Sequence, residues 1–455
     1  MAETALSVVA EEILGKLISL ATEQISVAWG FKDELMRLRK SVEMIQDVLA
    51  DAERRQVSDR SVMRWLQRLK DVAYDADDVL DELAYEVLRR KVEIRNHMKR
   101  KETLHLEDNI RHLPLISNDQ TTTTIPPPKE DMSHIRSFSL ISNNQVTPII
   151  PLSRDVMCRL RTIFWMHVDL GNKLLDLKCV RDLTLFGREI EELPNSIGEI
   201  RHLRLLRIEQ TKIKVLPNSV TKLYNLQTLV IKDCYCLERL PKDLRNLISL
   251  RHIDIDHQYI KQLPINMGQL TCLQTLPFFV IGQDVGHRIE EVGCLSKLRG
   301  KLHIYNLEHV RDEEEAKTAN LVGKAGVHKL KLHWNEEREG NNNDEDVLEG
   351  LQPHPSLKSL KIENFEGEKF PSWIWARNNS GGGGFLLEQL LKIRLENCNK
   401  CSKIPTLGHL PRLRVLQIEK MENVRCIGTE FYINYGGERS SHNGGVVQKC
   451  GIHSK

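Results

Sequence analysis

Two hydrophobic periodicities divide the chain. Over residues 1–107 apolar positions fall three and four apart. Phe31, Leu35, Leu38, Val42, Ile45, Leu49 and Ala52 form one such seam, and Val62, Trp65, Leu66, Leu69, Val72, Ala76, Val79, Leu80 and Leu83 another. That spacing gathers apolar side chains on one side of a helix. With Leu6, Val9, Ile13, Leu17 and Leu20 ahead of them and a basic stretch from Tyr85 to Leu106 behind, the pattern predicts four helices joined by short loops, an antiparallel bundle. From Ile135 onward the period changes to two. In Leu226-x-x-Leu229-x-Ile231 the alternation predicts a short strand with one face buried and Val230 pointing out. Leu-Pro pairs at Leu193, Leu216, Leu240 and Leu263 advance by 23, 24 and 23 residues. Such regularity predicts a solenoid: a single unit cannot bury its own leucines and does so against its neighbours, with the strands forming a parallel sheet on a concave face. Proline, which lacks an N–H, is expected to end each strand-side segment.

The repeated L-x-x-L-x-L core is that of a leucine-rich repeat. The fold expected is therefore multidomain, an all-α four-helix bundle followed by an α/β leucine-rich-repeat solenoid. The boundaries read as a bundle over 1–107, a Thr/Pro-rich linker over 108–132, repeats over 133–430 and a Gly/Ser-rich tail over 431–455. After the four regular units the spacing lengthens. Leu302-x-Ile304, Leu330-x-Leu332, Leu357-x-x-Leu360-x-Ile362, Leu390-x-x-Ile393-x-Leu395 and Leu413-x-x-Leu416-x-Ile418 still read as strands, separated by a charged helical insert (312–322) and a polar loop (336–346). The outward residue between the last two core positions runs Thr184, Arg207, Val230, Asp254, Pro277, His303, Lys331, Lys361, Arg394, Gln417. Four of these, His303, Lys331, Lys361 and Arg394, are basic in sequence and make a candidate recognition face for an acidic partner surface.

Charge changes the picture only locally. Charged residues make up 28% of the chain and nearly cancel, at +2, which argues against a nucleic-acid binder driven by net charge. The N-terminal stretch has no basic region before its apolar residues, and Glu3, Glu11 and Glu12 interrupt it, so it does not read as a signal peptide. No run approaches the roughly 18 apolar residues that span a bilayer. The expected setting is cytoplasmic, with nuclear or peripheral membrane placement as further options, and with reduced thiols. Cys234 and Cys398 stand three residues past the last strand position, where a small buried hydrophobe is expected. Cys234-x-Cys236 and Cys398-x-x-Cys401 lack a partner pair at zinc spacing.

No catalytic constellation stands out. There is no G-x-x-x-x-G-K-[ST], G-x-S-x-G or H-E-x-x-H, so no enzyme, metal or cofactor is expected. The densest local feature is acidic: in LKDVAYDADDVLDEL (69–83), Asp77, Asp78 and Asp81 crowd one helix. Asp77 and Asp81 share a face, where like charges cost a few tenths of a kcal/mol unless cations answer them. This reads either as a solvated face or as a docking patch for arginines.

These segments resemble plant coiled-coil NB-LRR disease resistance proteins. The likeness is carried by AERRQVSD (52–59), WLQRLKDVAYDADDVLDE (65–82), HIRSFSL (134–140), the Leu-Pro repeats, LRGKLHIYNLEHV (298–310) and LKLHWN (330–335). Asp77-Asp-Val-Leu-Asp81 matches that family's acidic motif, with Asp for Glu and Leu for Ile. The family's ADP/ATP-binding module normally stands between bundle and repeats; here about 25 linker residues stand there, so its cofactor is not expected. The resemblance implies an innate-immunity role. The repeats would recognise protein ligands, a pathogen effector or a guarded host protein. The bundle would signal and dock back, with Asp77, Asp78 and Asp81 on Arg181, Arg204 and Arg207. It also implies self-association or pairing with full-length receptors, and membrane contact only after assembly. The alternatives are a truncated regulator or decoy of full-length receptors, or an incomplete gene model of a nucleotide-binding switch.

Overall fold

The computed structural model describes residues 85, 88, 89 and 92, the strand 137–141 and, with short gaps, 157–424. The four early residues are helical. The predicted four-helix bundle as a whole, the linker over 108–132 and the tail over 431–455 lie outside the described residues.

Twelve strands follow in sequence: β1 (Ser137–Ile141), β2 (Thr162–Met166), β3 (Asp182–Phe186), β4 (Leu205–Glu209), β5 (Thr228–Lys232), β6 (His252–Ile255), β7 (Phe278–Val280), β8 (Gly300–Tyr305), β9 (Val327–His333), β10 (Ser359–Glu363), β11 (Lys392–Glu396) and β12 (Val415–Glu419). All pair in parallel with their chain neighbours, in two six-stranded sheets, β1–β6 and β7–β12. Among the described residues there is no strand ladder between the sheets; an isolated bridge pairs His252 with Thr275, just ahead of β7, and the backbone N–H groups of Gln274 and Thr275 donate to the Arg251 carbonyl.

The outward row holds its register over most of the sheet. Thr184 pairs with Arg207, Arg207 with Val230 and Val230 with Asp254. After the join, His303 pairs with Lys331, Lys331 with Lys361, Lys361 with Arg394 and Arg394 with Gln417. Pro277 departs from the expectation. Thr275 bridges His252 while Phe278 pairs with His303, so one extra residue is accommodated and Pro277 drops out of the row. Phe278 and Phe279 are both buried there, which breaks the alternation. Val230 sits in the outward row and yet is buried.

The core is one continuous cluster from Met157 to Met421. Within one unit Leu203, Leu206, Ile208, Ile213, Leu216, Val220 and Leu223 are at most 1% exposed. Each such side chain contributes about 1.5–3 kcal/mol when removed from water, which a unit obtains only with neighbours on both sides.

The Leu-Pro pairs have a different place from the one expected. Pro194 and Pro217 stand at the N-caps of the 3-10 helices Asn195–Glu199 and Asn218–Lys222, on the far side of the unit from the strand. A fixed φ near −65° and a missing N–H suit a helix start, where the N–H would be unsatisfied anyway. What ends the strands is a residue in the left-handed region. Gln210, Asp233, Asn306, Asn364, Asn397 and Lys420 each follow the last residue of a strand with φ between 52° and 62°. Three short α-helices appear in the later units: α1 (Glu290–Cys294), α2 (Glu313–Lys317) within the predicted charged insert, and α3 (Asp344–Gly350). Asp312 caps α2 by accepting from the Glu315 N–H at 2.8 Å.

Candidate recognition and docking surfaces

The edge where the strands begin is built by backbone hydrogen bonds between units. The Arg181 N–H donates to the Arg161 carbonyl at 2.7 Å, Arg204 to Arg181 at 2.7 Å, Gln227 to Arg204 at 2.8 Å and Arg251 to Gln227 at 2.8 Å. Gln274 donates to Arg251 and Arg299 to Gln274 in the same way. Arginine therefore holds this position in five of the seven units, Arg161, Arg181, Arg204, Arg251 and Arg299, with Gln227 and Gln274 in the other two. Burial pushes the Asp182 carboxyl up, while the Arg204 and Arg181 guanidiniums pull against that rise. At the other end of the row, burial lowers the His252 imidazole, and the Arg299 and Arg251 charges lower it further.

Of the three cations predicted to dock the acidic motif, Arg181 and Arg204 share this edge. Arg207 lies inside β4 on the open face and bonds to Glu209 at 2.8 Å. Asp77, Asp78 and Asp81 lie outside the described residues. Arg161 and Arg251 were missed. The signal for them is the residue directly after the first leucine of each unit, as in Leu160-Arg161 and Leu250-Arg251.

One described residue of the N-terminal segment reaches this edge. Tyr85 is 5% exposed, and its ring lies 5.2 Å from that of Tyr224, tilted by 31°. The Arg201 guanidinium stands 5.3 Å from the Tyr85 ring centroid, within cation–π range. Arg201 and Tyr224 occupy the same position in consecutive units, three residues ahead of Arg204 and Gln227.

The open face of β8–β12 carries three columns of side chains. The middle column is the one read from sequence: His303, Lys331, Lys361, Arg394 and Gln417. Two residues further along each strand runs a second column: Tyr305, His333, Glu363, Glu396 and Glu419. The two interlock. Lys331 and Lys361 both bond to Glu363. Lys361 also reaches Glu396 at 3.0 Å, and Arg394 holds Glu396 at 3.0 Å and Glu419 at 2.8 Å. Burial pushes the Glu396 carboxyl up, but hydrogen bonding to Lys361 and the charges of Lys361, Arg394 and Lys420 outweigh it, and the group sits below the usual carboxylate range. Burial lowers the Lys361 amine despite Glu396 beside it. The Lys331 ammonium also lies 4.9 Å from the Tyr305 ring centroid. The predicted recognition cations are thus brought together on one face, but three of them already hold carboxylates that sequence reasoning missed.

Among the described cysteines, Cys234, Cys398 and Cys401 pack as core, whereas Cys236 and Cys294 are exposed. Cys234 Sγ lies 3.2 Å from Thr211 Oγ1, and Cys401 donates to the Gly367 carbonyl at 3.0 Å. Burial pushes the Cys398 thiol up to about 12 and raises that of Cys401 as well, so both are neutral thiols at ordinary pH. Among the described residues no group of three His, Cys, Asp or Glu side chains converges to hold a metal ion, and no helix is long and apolar enough to cross a membrane.

A parallel solenoid with a charged open face and an arginine-lined edge defines a protein of the leucine-rich-repeat class. Residues 9–111 match the Rx N-terminal domain, residues 134–261 a leucine-rich repeat region, and residues 289–421 the R13L1/DRL21 LRRs. Among curated proteins, the chain is 43% identical over 244 residues to a sequence named as the disease resistance protein RGA4 of Solanum bulbocastanum, covering 53% of this chain and 24% of that one. It is 35% identical over 166 residues to one named as a disease resistance RPP13-like protein 1 of Arabidopsis thaliana, covering 34% of this chain and 15% of that one. The chain carries the Rx N-terminal domain and the leucine-rich repeats of plant disease resistance proteins, and it spans less than a quarter of the length of these relatives. A crystal structure of an internalin from Listeria monocytogenes is 15% identical, covers 63% of this chain and 81% of its own, and has a TM-score of 0.43.

Proposed function

We propose that this chain acts in plant innate immunity as a non-enzymatic, receptor-like protein. Its repeats recognise a protein ligand, either a pathogen effector or a guarded host protein, through the open face that includes His303, Lys331, Lys361 and Arg394. Its N-terminal bundle passes the signal on and, at rest, docks on the repeats through Asp77, Asp78 and Asp81 against Arg181, Arg204 and Arg207. The setting is cytoplasmic, with nuclear or peripheral membrane placement as variants of it. The observation that supports docking is the Tyr85 ring held by Arg201 and Tyr224, on the edge where Arg181 and Arg204 lie. Tyr85 stands four residues past Asp81 in sequence, one turn of the helix that the sequence predicts there.

The docking is tested in the full-length chain by replacing Asp77, Asp78 and Asp81 with Lys. Protease cleavage within 108–132 is expected to rise at low salt; cleavage at the wild-type rate would refute the contact. Removing the gene from a resistant plant is expected to raise pathogen growth, and unchanged resistance across a pathogen panel would count against the immune role.

A second reading follows from the short span relative to the relatives. The chain serves as a regulator or decoy that pairs with full-length receptors, or it is part of a longer nucleotide-binding switch. An antibody to the repeats separates these: a native band near the calculated 52.5 kDa supports the short form, and one larger by roughly 40 kDa, the mass of an added module, supports the switch.

A further inference from the structure

Resting on the reading that the repeats recognise a protein, we infer that the working contact surface of β8–β12 is the lysine column at the start of the strands, and that it takes an acidic protein segment. Lys301 pairs in register with Lys329 across β8 and β9, and Lys392 occupies the same column on β11, with Ser359 between them on β10. Arg299, Lys358 and Arg414 flank this column at the same edge, and all but Lys392 are exposed. Among the described residues none of these six lies within salt-bridge distance of a carboxylate, in contrast to Lys331, Lys361 and Arg394 two positions further on. Like charges directly opposite one another on neighbouring strands are destabilising. Lys301 opposite Lys329 is such a pair, and its cost is answered only when an external anion arrives.

The second column decides which anion. Glu363, Glu396 and Glu419 stand four residues beyond the lysine column along the strand, roughly 13 Å away at about 3.3 Å per residue. The face is therefore graded, positive where the strands begin and internally neutralised further on, where Glu363, Glu396 and Glu419 hold Lys331, Lys361 and Arg394. A nucleic acid carries one negative charge per ~1.7 Å of duplex axis and would bring its second strand over the carboxylates. A polypeptide with a row of Asp or Glu side chains covers the lysine column alone. Lys301, Lys329 and Lys392 span three strand intervals, about 14 Å at about 4.8 Å each. Acidic side chains on one face of about ten residues of helix cover that distance, at about 1.5 Å per residue.

The test uses the full-length protein and two labelled probes, a synthetic helical peptide with glutamates three and four apart and a double-stranded oligonucleotide of equal charge, titrated by fluorescence anisotropy at low and high salt. The wild type is expected to bind the peptide more tightly than the oligonucleotide. The triple change Lys301→Glu, Lys329→Glu, Lys392→Glu is expected to weaken peptide binding at least about tenfold. The milder Lys301→Gln, Lys329→Gln, Lys392→Gln variant should lose affinity in the same direction, which keeps the test usable if the reversal disturbs folding. A triple reversal of equal net charge at the exposed Lys214, Lys222 and Lys242 is expected to change it by less than about twofold. The inference is overturned if the site variants bind as the wild type does, if the distant reversal costs as much, or if the oligonucleotide binds more tightly at both salt concentrations. Those outcomes leave the proposed immune role standing, because the loss-of-resistance experiment does not depend on which column makes contact.

Discussion

Lys324 brings an ammonium into the core of a solenoid unit. The residue is 1% exposed, and its Nζ donates to the Leu295 carbonyl at 3.0 Å. Burial depresses the amine to about 8. Because the folded value lies below the ordinary value near 10.4, the folded state favours the neutral amine. Stability from this group is therefore full above about pH 10.4, and it is lost as pH falls toward about 8, by up to about 3 kcal/mol. Lys324→Met should flatten that slope, read as the difference between variant and wild type in urea unfolding at pH 7.5 and pH 10. The sequence gives no hint of it, since a Gly-Lys pair looks like a surface turn. The left-handed residues were equally hidden, although their chemistry is visible afterwards. Asn397 has φ 57°, and its side chain donates to Asn364 Oδ1 at 3.0 Å, as Asn364 donates to the Trp334 carbonyl at 2.9 Å. Asn tolerates this backbone region and Ala does not. Asn397→Ala is expected to cost about 1–3 kcal/mol, measured by denaturant midpoint, through the strained backbone and the broken amide chain.

At the scale of the element, the strands were legible because alternation alone specifies a half-buried strand. The Leu-Pro pairs were read correctly as punctuation but tied to the strand, whereas Pro194 and Pro217 open 3-10 helices, because Pro ends a strand and begins a helix for the same reason. The pairing of the middle column with Glu363, Glu396 and Glu419 was missed because a list of outward residues at one position ignores the neighbour two residues on. That pairing predicts an acid limb. Glu396 sits below its usual range, so its contribution is present above about pH 4.3 and disappears as pH falls through the lower folded value. Wild type should lose stability on acidification below about pH 4 more steeply than Glu396→Gln, followed by near-ultraviolet circular dichroism. Short helices depend on close approach instead of length. A Cβ on Gly293 in α1 would overlap the Thr318 carbonyl oxygen, just past α2. Gly293→Ala is expected to destabilise by about 1–3 kcal/mol, again by denaturant midpoint, although Ala is the better helix former.

For the whole molecule, regular spacing made the solenoid readable from Leu193 to Leu263, and the alternation of apolar positions extended it to both ends. The interruption at Pro277 was not readable, because L-x-x-L-x-F satisfies the same pattern whether or not an extra residue enters. There the sheet changes register, with an isolated bridge between Thr275 and His252 in place of a strand ladder, while the hydrophobic core runs on without a gap. Solenoid stability is close to a sum over neighbouring units, so a poorer interface lowers protection locally and leaves the core intact. Amide exchange in β6 and β7 should be faster than in β4, β5 or β9, and equal protection throughout would contradict this. The join has a meaning for descent as well as for stability. The two repeat-family matches end at residue 261 and begin at residue 289, on either side of it. A crossover between genes at that point would exchange one six-stranded block for another while the strand pairing within each block stayed intact. Lineages of such proteins are expected to shuffle whole blocks there, so that the two halves of one chain can have different ancestries.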